Sequence, residues 1–140
     1  MSTEENKALI RRFVEEIVNK GNIALIDELV AANYIDHSSP PGAPSGIEGS
    51  KQFTNLFRMA FPDIHITLDD LIAEGDKVVS RFTMRGTNKG EFLGIPPTGK
   101  QVTITGIHID RFAGGKLVEH WGQQDTLGLM QQLGVIPAMG

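Results

Sequence analysis

No cysteine occurs among the 140 residues, which excludes disulfides and thiolate metal sites and leaves the redox compartment undetermined. Basic residues are few and scattered: 13 Lys and Arg against 17 Asp and Glu give a net charge of -4 and a pI near 5.5. Without a basic stripe to meet a phosphate backbone, nucleic acid is not an expected partner. No run approaches the ~18 apolar residues of a membrane span, and Met1-Ser2-Thr3-Glu4-Glu5 carries acids where a secretory signal would carry bases. The expectation is a cytoplasmic protein with no membrane contact. Neither an internal repeat nor a low-complexity tract interrupts the chain, so residues 1–140 read as a single domain of ordinary globular composition, 40% hydrophobic and 21% charged. The glycines from Gly86 to Gly99 do not precede a helix, which excludes a phosphate loop. The four histidines match no ligand spacing, so neither a metal nor another cofactor is expected.

What is present divides into a helical first half and a strand-rich second half. Ser2 and Glu5 have the spacing of a capping box, and Leu9, Ile10, Phe13, Val14, Ile17 and Val18 wind into one apolar stripe that ends at Lys20-Gly21. A second, shorter helix is predicted over residues 22–31, and residues 38–44 are too proline-rich to be anything but a loop. A third helix starts at Ser45, with Glu48 completing a second capping box and Phe53, Leu56, Phe57 and Ala60 on its inward face, until Phe61-Pro62 stops it.

Beyond Pro62 the apolar period shortens to two. Leu68 opposite Phe82 and Ile66 opposite Met84 put the large apolar groups of a hairpin on one face, leaving Asp69 opposite Arg81 and Thr67 opposite Thr83 on the other. Residues 87–100 suggest a short edge strand and an ordered loop, residues 101–112 and 116–125 form a second hairpin, and residues 126–133 make a last helical segment stopped by Gly134. Helices followed by antiparallel strands predict an α+β fold: a strongly curved antiparallel or mixed sheet wrapped as a cone-shaped barrel around three N-terminal helices, with an apolar pocket at its mouth.

The stretch from Gly86 to Lys100, the run Gly115-Lys116-Leu117-Val118-Glu119-His120-Trp121 followed by Asp125 and Gln131-Gln132-Leu133-Gly134, and Asp36-His37 before the proline-rich loop together resemble the SnoaL-like polyketide or ester cyclase family, within the superfamily of ketosteroid isomerase and nuclear transport factor. The resemblance implies a small hydrophobic organic substrate, intramolecular aldol chemistry without a metal, and a pocket carboxylate as acid and base, a position that Asp125 matches. On the residues alone, an aspartate before Thr126-Leu127-Gly128 reads as a helix cap; the resemblance shifts the reading to the pocket. A two-residue turn at Gly114-Gly115 sets His108 opposite Trp121 and on the face of Asp125, where it could steer substrate; a longer loop instead pairs Arg111 with Glu119 and turns His108 away. His37, near the pocket mouth, and Trp121, Phe57 and Arg81 complete the candidate substrate contacts, although Arg81 also reads as an ion-pair partner of Asp69. His120 and His65 read as surface or satisfied strand residues.

The same cone would also serve a non-catalytic binding module. Epoxide hydrolysis on this fold asks for a second aspartate that has no convincing place in register, and a ketosteroid-isomerase-like site asks for a buried donor, whereas the only tyrosine, Tyr34, falls beside the second helix. Thr103, Thr105, Ile107 and Ile109 would leave a semi-apolar strip on the outside of the sheet, so a homodimer or a higher homo-oligomer is expected.

Overall fold

A computed structural model describes residues 2–39 and 41–137; Pro40 of the proline-rich loop and the first residue, Met1, lie outside the described residues. Helix α1 (Thr3–Arg12) opens on the expected capping box, in which the Glu5 N–H donates to Ser2 Oγ at 3.1 Å and the Ser2 N–H donates back to Glu5 Oε1 at 3.2 Å. It runs on as a π-helical segment, Phe13–Asn19. The widened turn is pinned at its end: Asn19 Nδ2 donates to the Ile66 carbonyl at 3.0 Å, Asn19 Oδ1 accepts the Ile66 N–H at 2.7 Å, and Arg58 donates to the Val18 and Asn19 carbonyls.

The second predicted helix shrinks to a 3-10 turn, Ile23–Leu25, and one α turn, α2 (Ile26–Leu29). Residues Val30–Asp36 are instead strand β1, which buries Val30 and Tyr34. Helix propensity in Ala31-Ala32 yields here to sheet pairing, a tertiary effect. Helix α3 (Gly46–Ala60) follows as expected, but Ser45 caps it by backbone geometry alone, without the side-chain bond of a capping box.

The remaining strands are β2 (His65–Glu74), β3 (Lys77–Thr87), β4 (Gln101–Ala113) and β5 (Lys116–Gln124), and α4 (Thr126–Leu133) closes on Gly134 in the left-handed conformation. The five strands form one mixed sheet in the order β1-β5-β4-β3-β2, with β1 parallel to β5 and every other pair antiparallel. The architecture is the α+β one expected from the sequence.

Two bulges decide which way side chains point. In the first hairpin the predicted pairs Ile66 with Met84, Thr67 with Thr83 and Leu68 with Phe82 are present, but an extra residue then makes Asp70 rather than Asp69 the partner of Arg81. The slip turns Leu71 and Ala73 inward and leaves Ile72 exposed. In the second hairpin Ala113 pairs with Lys116 across a two-residue turn, and a bulge next to Arg111 then brings Arg111 opposite Glu119. The turn of one expected register thus coexists with the charge pairing of the other.

Residues 88–100 form no edge strand; they fold around Asn88, which is fully buried. Its amide donates to the Gly90 carbonyl at 2.8 Å and accepts from the Thr98 N–H at 2.8 Å and the Thr98 hydroxyl at 3.0 Å. Gly90 sits so close to α3 that a Cβ there would lie 2.1 Å from the Met59 carbonyl oxygen.

Two apolar clusters fill the inner face of the sheet. One gathers Phe57, Phe61, Phe82, Met84, Phe92 and Ile104; the other gathers Ile10, Ile17, Ile26, Tyr34, Val78 and Phe112. At about 1.5–3 kcal/mol for each large side chain withdrawn from water, these clusters dominate the favourable side of folding.

Candidate active site

Strand alternation on β4 carries the inner face from Phe82's partner Gly106 through His108 and Asp110 to Phe112. His108 and Asp110 therefore interrupt the passage from one apolar cluster to the other. The bulged register of the second hairpin sets Asp110 opposite His120 and His108 opposite Gly122. His120 Nδ1 lies 2.6 Å from Asp110 Oδ1, and their side chains are only 15% and 6% exposed. A carboxylate can only accept, so Nδ1 carries the proton and Nε2 is the nitrogen free to exchange one.

The His108 ring packs 4.6 Å from that of His120, edge to face, and 4.4 Å from Phe82. Both imidazoles close over Gly122, where a Cβ would lie 2.9 Å from His120 Nε2 and 2.9 Å from His108 Cδ2. The environments pull the two histidines apart. Burial first, and the neighbouring His120 second, push His108 down to about 3, so it is neutral across the physiological range. Burial also opposes charge on His120, but the hydrogen bond and charge of Asp110, with the charge of Asp36, outweigh it and raise its pKa above the ordinary value. Tyr34 is buried on β1, and its phenol is held protonated by desolvation first and then by the charges of Asp36 and Asp110. That placement corrects the expectation that Tyr34 stands off the sheet.

The other expected site residues are not brought together. Asp125 lies outside the hollow in which it was expected: it is exposed, its N–H donates to the Thr105 carbonyl at 3.0 Å, and its Oδ1 accepts the Gly128 N–H at 2.8 Å as the N-cap of α4. It follows Thr105 to the outer face because the bulge moved the register by one residue. The same shift turns Trp121 outward, opposite Ile109, where His37 stacks on it at 4.9 Å with the rings 5° from parallel. His37 Nε2 is 2.6 Å from Glu119 Oε2, and Glu119 Oε1 accepts from Arg111 Nε at 2.8 Å. These bonds, that of His37 first, hold the Glu119 carboxyl below the usual range. His37 and Trp121 thus form an outer cluster, on the opposite face from His108.

Arg81 is exposed and ion-paired, but its close partner is Asp70 at 2.6 Å, with the expected Asp69 farther off at 3.8 Å. Phe57 is buried among Phe53, Phe61 and Phe92 in the first apolar cluster. Two clefts, of about 260 and 200 Å³, open at the turns around Gly75 and Gly114 and beside Asp63 and Arg85. Neither is lined by His108, Asp110 or His120. Among the described residues no three His, Asp or Glu side chains are grouped to hold a metal, and no helix is long and apolar enough to cross a membrane.

Sequence reasoning missed Asp110 and His120 as a pair. The signal was the opposite charge of Arg111 and Glu119: the register that pairs them also sets Asp110 against His120, one residue along each strand.

The family described as SnoaL-like polyketide cyclase matches the chain over residues 8–133. Aklanonic acid methyl ester cyclase of Streptomyces peucetius is 28% identical over 137 residues, spanning 96% of this chain and 92% of that protein. Nogalonic acid methyl ester cyclase of Streptomyces nogalater is 25% identical over 119 residues, spanning 83% and 88%. Among solved structures, TsrD from Streptomyces laurentii is similar with a TM-score of 0.89 at 32% identity, over 97% of this chain and 99% of that one.

Proposed function

This chain belongs to the SnoaL-like polyketide cyclase family, and from that premise we propose that it closes a ring in a polyketide-like ester by intramolecular aldol addition, with His120 moving the proton. The reading rests on one observation above all, the 2.6 Å bond that fixes His120 to Asp110 on the inner face of the sheet.

The carbon between two carbonyls is the acid of the reaction. Neutral His120 takes its proton at Nε2, and the enolate carbon bonds to a ketone carbon of the same molecule. The ketone's π pair becomes an alkoxide, to which Nε2 returns the proton. Substrate and product are isomers, so atoms and electrons balance without a co-reactant, and the cycle as written uses no metal. A carboxylate behind the ring strengthens the base and steadies the imidazolium formed midway. His108, kept neutral, offers a hydrogen bond to a substrate carbonyl oxygen without competing for the proton. Substrate would approach the pair from the partly exposed side of His120, since neither of the two clefts contains it.

The test is conversion of aklanonic acid methyl ester or nogalonic acid methyl ester to a ring-closed isomer, followed by chromatography and NMR. The wild type is expected to form the isomer, His120→Gln to lose at least about 100-fold in kcat, and Asp125→Asn to keep wild-type turnover. Full activity in His120→Gln, or an equal loss in Asp125→Asn, would overturn the assignment.

A further inference from the structure

His120 lies on a strand with a neighbour on each side, and the register sets a carboxylate opposite it on both: Asp110 on β4 and Asp36 on β1. The backbone ties the second contact, since the His37 N–H donates to the His120 carbonyl at 2.9 Å. Asp110, His120 and Asp36 thus form a row across three adjacent strands. Asp110 holds the imidazole directly. Asp36, half-buried, is itself held by the start of the proline-rich loop: its Oδ1 accepts the Ser38 N–H at 2.9 Å and the Ser38 hydroxyl at 2.7 Å, and its carbonyl accepts the Ser39 hydroxyl at 2.9 Å.

The titratable groups that face His120 are Asp110 and His108 from β4 and Asp36 and Tyr34 from β1; Glu119 and His37 lie across the sheet. Of these, only Asp36 is joined to a loop rather than to the interior. We propose that Asp36 is a positioning residue of the site, its charge favouring the protonated imidazole across the strand pair from the β1 side, and that Ser38 makes this effect depend on the conformation of the proline-rich loop. The inference rests on His120 as the proton-transfer group, but its test needs no turnover.

Asp36→Asn removes the charge and keeps an oxygen for both Ser38 bonds, so it isolates the electrostatic part. Ser38→Ala, at an exposed position, keeps the charge and the backbone N–H bond and removes only the hydroxyl donor to the carboxylate. Long-range proton–nitrogen NMR of the imidazoles, recorded across pH on the full chain, reads the His120 titration directly. The midpoint is expected to move to lower pH in Asp36→Asn and, by a smaller step, in Ser38→Ala, since an opposite charge nearby favours the protonated ring. An unmoved midpoint in Asp36→Asn overturns the role of Asp36. An unmoved midpoint in Ser38→Ala overturns the link to the loop, and should the Asn variant not fold, Ser38→Ala decides the proposal. If the midpoint moves as expected while His120→Gln still cyclises the ester, the proposed function fails and with it the positioning role, and only the electrostatic coupling of Asp36 to His120 stands.

Discussion

Replacing His108 by Phe removes a titrating group while keeping an aromatic ring against Phe82 and over Gly122, and its effect on stability follows from proton linkage. Unfolded, the imidazole binds a proton near the ordinary 6.5; folded, it resists one until about 3. Between those values the unfolded state holds the extra proton, so folded stability falls as pH falls, by about 1.4 kcal/mol for each pH unit. His120 has the opposite sign: its contribution is complete below the ordinary value and is lost as pH rises through its raised one, so it adds no slope below about 6.5. Comparison from pH 6.5 down to pH 5 therefore isolates His108. Over that interval the wild type should lose roughly 1.5 kcal/mol that His108→Phe retains. Urea unfolding followed by circular dichroism at several pH values measures the difference, with carboxylate effects common to both proteins cancelling. Parallel stability curves would refute the reasoning, because they would mean that His108 takes up its proton as easily folded as unfolded.

Further outcomes follow from neighbouring contacts. Gly122→Ala puts a methyl group against both imidazole edges, which can swing aside, so kcat should fall by about tenfold or more through misplacement while the melting temperature changes little; kinetics and calorimetry on the same samples check this. Asn88→Ala removes the fully buried amide around which residues 88–100 fold and leaves the Gly90 carbonyl and the Thr98 N–H without that partner, a loss of about 2–4 kcal/mol readable by denaturant unfolding. On the outer face, Ile35, Ile107 and Ile109 are exposed, and we propose that a second copy covers them; Ile107→Lys should then turn a dimer into a monomer in size-exclusion chromatography with light scattering, and a monomeric wild type would contradict it.

Much of the fold was legible where a local rule acts alone. The capping box at Ser2 and Glu5, the stop at Gly134 and the pairing of Leu68 with Phe82 each follow from chemistry within a few residues or across one turn. Strand β1 was hidden because its Ala-Ala-Asn centre has no β preference of its own, and it exists through parallel pairing with β5, more than eighty residues away in sequence. The site was harder to read for a different reason. A bulge adds one residue and reverses every side chain beyond it, and no residue type announces one. That single step carried Trp121 and Asp125 outward with Ile109 and Thr105, and carried His120 inward to meet Asp110. Only the Arg111–Glu119 charge pair betrayed it beforehand.

The most direct measurement of the proposed chemistry is exchange of the carbon-bound proton itself. With aklanonic acid methyl ester in deuterated buffer, NMR would follow loss of the proton between the two carbonyls, separately from ring closure. The wild type should accelerate exchange, more strongly as pH rises through the raised pKa of His120, and His120→Gln and Asp110→Asn should both lose most of that acceleration. Exchange that is equally fast in His120→Gln would contradict the assignment of the proton to this imidazole.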